Sequence, residues 1–146
     1  MKLGVAEIFE KVASAPNQKE RIKLLQHYDN FAMRVILRLA YDPTLVWDFD
    51  EGWKPEYKPS IYYDQEGALY QGIRFINKFL VDGYAGLTRE KKKVLFVQLL
   101  EGLTPADAAM MTTIIKKKFP FKGIGPATVK EAYPGLLEEP HDAPIL

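Results

Sequence analysis

The sequence contains no cysteine and only two histidines among its 146 residues. Without cysteine the chain can form neither a disulfide framework nor a thiolate metal site, which is typical of proteins from a reducing compartment. His27 and His141 have no serine or carboxylate partner at a spacing known from catalytic sites. A glycine-lysine loop for nucleotide phosphates is also missing. We therefore predict that the protein is not an enzyme and needs no cofactor.

Long apolar runs and strand patterns are absent as well. No apolar stretch reaches the roughly eighteen residues of a membrane span, and Glu7 comes before a signal-peptide core could develop. The acids Asp48, Asp50 and Glu51 lack the spacing of a calcium-binding loop, so we interpret them as a solvated acidic segment without a metal. A soluble cytoplasmic protein with no membrane partner is expected.

Apolar residues recur at helical spacing along most of the chain, which predicts an all-α fold of about seven helices. Asn17 followed by Glu20, and Thr104 followed by Pro105, are typical of helix starts. We predict one compact domain, residues 1–137, and an acidic, proline-containing tail, residues 138–146. The predicted helices span about residues 3–14, 17–28, 31–41, 66–81, 88–101, 104–118 and 126–133.

An aromatic-rich segment without a regular period, about residues 43–66, separates the third and fourth predicted helices. Loops of this length inside a compact domain are uncommon and are often functional. We favour the interpretation that Trp47, Phe49, Trp53 and Tyr57 anchor the loop to the core. The alternative is that the loop, from Trp47 to Tyr63, and the acidic tail form a surface that binds another protein.

The charges are distributed unevenly, although the formal net charge is only +1. Residues 89–130 contain nine lysines and arginines but only three acids. Lys91, Lys92 and Lys93 lie at a predicted helix start, where positive charge opposes the helix dipole, so we expect an external anion there. The basic excess thus points to a polyanionic partner.

The most informative stretch is a run of lysines that leads into a glycine hairpin, Lys116-Lys117-Lys118-Phe119-Pro120-Phe121-Lys122-Gly123-Ile124-Gly125-Pro126. Glycine allows positive φ and close approach of another molecule, and Pro126 suits the first position of a helix. Free backbone amides at such a turn favour an anion, and Lys122 and Lys130 flank it. The simpler alternative is a solvated helix end whose lysines are stabilised by the helix dipole.

The segment Phe121-Lys122-Gly123-Ile124-Gly125-Pro126-Ala127-Thr128-Val129 resembles the hairpin of helix-hairpin-helix elements, which grip DNA phosphates without reading sequence. Over a longer span, Glu7 to about Pro140, the chain resembles the N-terminal helical DNA-binding domain of ATP-dependent DNA ligases of tailed phages. The stretches that carry this likeness are Glu7-Ile8-Phe9-Glu10-Lys11-Val12-Ala13-Ser14 with Asn17-Gln18-Lys19-Glu20 and Leu24-Leu25, then Arg34-Val35-Ile36-Leu37-Arg38-Leu39-Ala40-Tyr41-Asp42-Pro43, then Met111 to Pro140 with Tyr133-Pro134-Gly135-Leu136.

This resemblance implies a stand-alone, phage-encoded module that binds double-stranded DNA through its backbone phosphates. It places the following residues at the DNA surface: Lys116, Lys117, Lys118, Lys122, Gly123, Gly125, Ala127 and Thr128. Lys130 flanks that surface, and Lys91, Lys92 and Lys93 are additional candidate contacts. Within these 146 residues no segment resembles the catalytic domains of a ligase, and Leu80 stands where the Lys-x-Asp-Gly motif of ligases has its reactive lysine.

Two other hypotheses remain open. The ligase-type fold is reused either to hold a phage or host protein, or to build a virion. Alternatively, the chain lends DNA binding to a separately encoded enzyme. The expected location is the cytoplasm of the infected cell, with the virion as the second choice.

Overall fold

The computed structural model describes residues 3–59, 67–81, 83 and 86–138. The predicted all-α fold is confirmed, since the regular structure of this part consists of helices and one isolated antiparallel bridge between Trp47 and Leu80. The α-helices are α1 Val5–Ala13, α2 Gln18–His27, α3 Phe31–Tyr41, α4 Ala68–Gly72, α5 Arg89–Glu101, α6 Pro105–Ile114 and α7 Pro126–Ala132. Two 3₁₀ helices span Ile73–Phe79 and Leu136–Glu138. The predicted tail beyond residue 138 lies outside the described residues.

The helix starts follow the capping signals in the sequence. Asn17 and Asn30 each accept a hydrogen bond at 2.9 Å from the backbone N–H three residues on. Thr104 accepts the N–H of Asp107 at 3.1 Å, as predicted. The carboxylate of Asp107 in turn accepts the N–H of Ala6 at 2.8 Å, so one buried acid joins the first turns of α1 and α6.

Helix α3 runs through the middle of the core. Eight of its eleven residues are buried, which requires neighbours on nearly every side of the helix. Arg38 and Asp42, at its C-terminal end, form a buried ion pair at 3.8 Å. Helices α4 and α6 and the second 3₁₀ helix pack against α3.

The helix predicted over residues 66–81 is shorter and tighter than expected. Only Ala68–Gly72 is α-helical, and a 3₁₀ helix follows, within which Phe75 departs from helical angles (φ −114°, ψ 16°). The reason is that the chain must become extended at Leu80 to pair with the aromatic loop. Val81 donates to the carbonyl of Val46 at 2.9 Å, a long-range contact that helical periodicity cannot reveal.

Helix α5 has the predicted start and end but a different buried face. Val94, which the apolar spacing of this helix predicts to be buried together with Leu95, Val97, Leu99 and Leu100, is instead half exposed. The fully buried positions are Lys92, Phe96 and Leu100, spaced four residues apart on one stripe. This stripe faces the aromatic loop.

The prediction that the loop after α3 is anchored to the core is confirmed for its described part. Trp47 is buried, and Phe49 and Trp53 pack against each other with ring centroids 4.7 Å apart. All three rings contact Phe96 of α5, at centroid distances of 5.1 to 6.2 Å. None of the described helices is long and apolar enough to cross a membrane.

Candidate nucleic-acid interface

The glycine hairpin is fastened to the core by its own apolar side chains. The rings of Phe119 and Phe121 pack on Phe9 of α1, with centroids 4.9 and 5.8 Å away. Ile124 is 1% exposed, and its carbonyl accepts a hydrogen bond from the Tyr41 hydroxyl. With these groups turned inward, the polar residues between them face outward.

Helix α7, which follows the hairpin, packs along α2. Gln18 donates to the hydroxyl of Thr128. Farther along, Gln26 donates to the carbonyl of Ala132 at 3.2 Å. Contacts at both ends of the short helix therefore fix the direction in which the hairpin leaves the core.

Gly123 is the sharpest point of the hairpin, with φ +87°. A Cβ atom at this position would lie 2.8 Å from Nε of Arg21, so both the backbone conformation and the close neighbour favour glycine. The N–H groups of Lys122 and Gly123 meet no acceptor among the described residues. The turn thus presents backbone donors beside a guanidinium group, an arrangement suited to an anion.

Arg21 is a candidate contact that the sequence did not reveal. Its side chain is half-buried on α2, and its Nε is buried without a hydrogen-bond acceptor in the described part of the chain. The interaction with Gly123 joins two distant parts of the sequence, and no local motif marks it. Only the packing of α7 on α2 brings the two together.

Four of the predicted lysines are exposed on or beside the hairpin: Lys116, Lys118, Lys122 and Lys130. None of them forms an ion pair within the residues that the structure describes. Ala127 is also exposed, whereas Gly125 is half-buried. Within the described part of the chain these cations are therefore uncompensated, which suits a phosphate-binding surface.

Lys117 is placed differently from its neighbours. Its ammonium donates to the carbonyls of Leu39, Asp42 and Leu45 at 2.5, 2.7 and 2.9 Å, and so satisfies the C-terminal end of α3. Its φ of +59° turns the chain out of α6. Desolvation lowers the pKa of this ammonium. The group is occupied inside the protein, which corrects the prediction that Lys117 faces the DNA.

Thr128 also needs correction, because its side chain is only 4% exposed. Its hydroxyl is engaged by Gln18 and lies 3.5 Å from the carbonyl of Gly123. The Thr128 hydroxyl therefore stabilises the hairpin on its buried side. It is not available to an external phosphate.

The lysines at the start of α5 are largely neutralised within the protein. Lys92 is 2% exposed, and its ammonium binds Asp48 at 2.8 Å and the carbonyl of Leu80 at 2.9 Å. Lys93 pairs with Asp50 and also contacts Glu90. Burial corrects the prediction that Lys92 faces the DNA, Lys93 is engaged within the protein, and Lys91 is the one of these three lysines that is exposed.

Aspartates of the aromatic loop supply the negative charge expected at this helix start. The hydrogen bond from Lys92 lowers the pKa of Asp48, and that from Lys93 lowers the pKa of Asp50. Arg89 bridges the same two carboxylates at 3.1 and 3.0 Å. The expected anion is thus part of the chain itself, whereas the exposed lysines of the hairpin have no such partner among the described residues.

Together, the fold and this surface define a helical-bundle domain with an exposed, uncompensated basic hairpin. The chain belongs to a family of unknown function, DUF6433, whose model matches residues 8–120. The matched part runs from α1 through α6 and ends before Gly123. A comparison with curated proteins gave no match. In the described part of the chain, no three His, Cys, Asp or Glu residues are placed to share a metal ion.

Proposed function

We propose that the protein is a non-catalytic module that binds double-stranded DNA through backbone phosphates, largely without reading base sequence. The observation that carries this proposal is the contrast between two groups of lysines. Lys92 and Lys93 at the start of α5 are paired with aspartates, whereas Lys116, Lys118, Lys122 and Lys130 have no acidic partner among the described residues. Unpaired cations around free backbone amides suit phosphate oxygens.

The residues proposed to contact phosphates follow from exposure and from the shape of the turn. They are Lys116, Lys118, Lys122 and Lys130, with the backbone of Gly123, Gly125 and Ala127 and the guanidinium of Arg21. Lys117 and Thr128 do not face the ligand in this proposal. Their hydrogen bonds within the protein stabilise the conformation of the surface. The resemblance to the DNA-binding domain of phage ligases supports the same surface, and with it the proposal of a phage-encoded protein.

The binding test is a fluorescence-anisotropy titration of a labelled blunt duplex at several salt concentrations. Binding should weaken as salt rises, with a log-log slope of roughly 0.9 for each phosphate neutralised. Lys118→Glu combined with Lys122→Glu should weaken binding about tenfold or more at low salt and lower the slope by about 2. Two unrelated duplex sequences should bind equally well.

The matched control carries the same change of net charge elsewhere. Arg74→Glu combined with Lys58→Glu alters two exposed cations outside the hairpin and should leave most of the affinity intact. If both double variants lose the same affinity for the duplex, the loss comes from the change in net charge. The hairpin is then not the binding site. If the wild-type protein binds no duplex at low salt, the proposed function is wrong.

The alternative, a module that binds a protein through its aromatic loop, receives less support. Trp47 is buried and Trp53 is half-buried, so the loop uses its large rings to contact the core. Binding to a separately encoded enzyme remains compatible with the hairpin proposal, because such a partner would use the DNA that this module holds.

A further inference from the structure

A cavity of about 400 Å³ lies between the described part of the aromatic loop and the end of α6. Its volume falls within the range of roughly 300–1,000 Å³ that is usual for sites of small molecules. The side chains that give it its chemistry are Trp47, Phe49, Trp53, Lys54, Lys116 and Lys117. The lining therefore combines aromatic rings with lysines.

The charges of the lining residues favour an anionic group in the ligand. Asp50 is already paired with Arg89 and Lys93, and the ammonium of Lys117 is held by backbone carbonyls. Lys54 and Lys116 are exposed and have no partner among the described residues, and Glu51 is the one acid of the lining that is not already paired there. Two cations thus remain free to bind a ligand.

The aromatic rings of the lining favour a second chemical feature in the ligand, beside its negative charge. Flat aromatic side chains that are held rigidly by their neighbours favour a flat, apolar group that can stack on them, and inorganic phosphate alone would leave this wall unused. Trp53 is half-buried and is braced by Phe49 at 4.7 Å, so its ring position is set before any ligand arrives. A nucleobase joined to a phosphate combines both required features.

We propose that this cavity binds one unpaired nucleotide, with the base against the aromatic wall and the phosphate at Lys54 and Lys116. The inference rests on the proposed DNA binding, because Lys116 belongs to the lysine run that leads into the hairpin. The site therefore gives the module a preference for DNA with a frayed or single-stranded end. A free nucleotide carries the same chemistry, and the experiment distinguishes the two sources.

The first measurement compares three labelled DNAs that share one duplex: a blunt form, a form with a short single-stranded overhang, and the same overhang with its bases removed. Stacking of one base on an aromatic side chain predicts about tenfold tighter binding of the overhang form than of the blunt form. The abasic overhang has the same phosphates but should show little of this gain. Equal binding of the normal and abasic overhangs would contradict a base site in DNA.

The variants separate the cavity from the hairpin. Trp53→Leu should abolish the overhang gain while leaving blunt-duplex affinity unchanged. Because loss of this ring also weakens packing, Lys54→Gln serves as a second variant on the exposed rim and should reduce the gain severalfold. Lys58→Gln, an exposed lysine of the same loop that does not line the cavity, is the matched control and should keep the full gain.

The second measurement uses deoxyadenosine monophosphate as a free probe. Both tryptophans of the chain line the cavity, so the nucleotide should quench their fluorescence, and Lys54→Gln should weaken that effect. Quenching without an overhang gain assigns the site to free nucleotides. Quenching without any duplex binding supports the cavity and rejects the hairpin proposal. Duplex binding with neither quenching nor an overhang gain overturns the nucleotide site alone.

Discussion

Adjacent lysines in this chain have opposite roles, and burial decides which role each one takes. Lys117 donates to two backbone carbonyls at the end of α3 and to that of Leu45 in the following loop, whereas Lys116 and Lys118 on either side of it are exposed. Its left-handed conformation, φ +59°, costs on the order of 1–2 kcal/mol for a residue other than glycine. The three hydrogen bonds that its ammonium donates offset this cost.

The same principle makes Asp48 important for stability. Its carboxylate meets the ammonium of Lys92, which is 2% exposed, so that removal of the negative charge leaves a buried cation without its partner. We expect Asp48→Asn to lower the free energy of unfolding by about 3 kcal/mol near neutral pH. Urea unfolding followed by circular dichroism measures this change.

The pH dependence of that loss follows from the lowered pKa of Asp48. A carboxyl group whose folded-state pKa lies below its ordinary value of 3.8 stabilises the protein above that value, and the contribution disappears as the pH falls through the folded-state pKa. The difference between wild type and Asp48→Asn should therefore be constant from about pH 5 to 7 and shrink below about pH 4. Glu51→Gln, which alters an exposed acid nearby, should change stability by no more than about 0.5 kcal/mol.

At the scale of elements, the hairpin and α2 depend on each other. The hairpin is held from inside by Phe119, Phe121 and Ile124, and its outer corner at Gly123 closes over Arg21. The corner therefore contributes both to stability and to the surface proposed for phosphates.

Gly123→Ala tests the corner directly. The new side chain must adopt positive φ and meets the Arg21 guanidinium at 2.8 Å, so we expect a loss of about 2 kcal/mol in thermal or denaturant unfolding. Gly86→Ala is the matched control, because nothing lies within 4 Å of its added Cβ and its φ is not positive. That variant should stay within about 0.5 kcal/mol of wild type. Equal stability of the two variants would show that the corner adapts to a side chain.

At the scale of the whole molecule, aromatic side chains form two clusters with different tasks. One, around Phe9, Phe119 and Phe121, fastens the hairpin. The other joins the loop rings Trp47, Phe49 and Trp53 to Phe79 and Phe96. The second cluster joins the loop, the 3₁₀ helix Ile73–Phe79 and α5. Phe96 of α5 contacts rings from both of the other parts.

Phe96 lies at the centre of the second cluster and is fully buried. Phe96→Ala should reduce the free energy of unfolding by about 3–5 kcal/mol, because it leaves a cavity beneath the loop. Tryptophan emission should shift to longer wavelength, since both tryptophans contact this ring. Phe75→Ala is the control, because Phe75 is 54% exposed, and it should cost less than about 1 kcal/mol.

Local sequence signals were sufficient for the helices whose ends are set by capping. Asn17, Asn30, Thr88 and Thr104 cap helices as their residue types predict, because the bond joins groups three residues apart. The tight 3₁₀ helix and the buried stripe of α5 were not predictable in this way. Both result from the loop, whose bridge at Trp47 and ring contacts at Phe96 join residues distant in sequence.

The sequence by itself determined the all-α class, the helix starts and the accumulation of lysines around a glycine hairpin, because each depends on periodicity, capping or composition over short distances. Only the tertiary structure decided which lysines remain free. Lys92 binds Asp48, and Lys117 binds carbonyls at the end of α3, so neither ammonium is free. Arg21 of α2, in contrast, lies beside Gly123 at the hairpin. Whether a charged side chain faces solvent or an internal partner depends on packing between elements that are distant in sequence. The local pattern of residues does not reveal that packing.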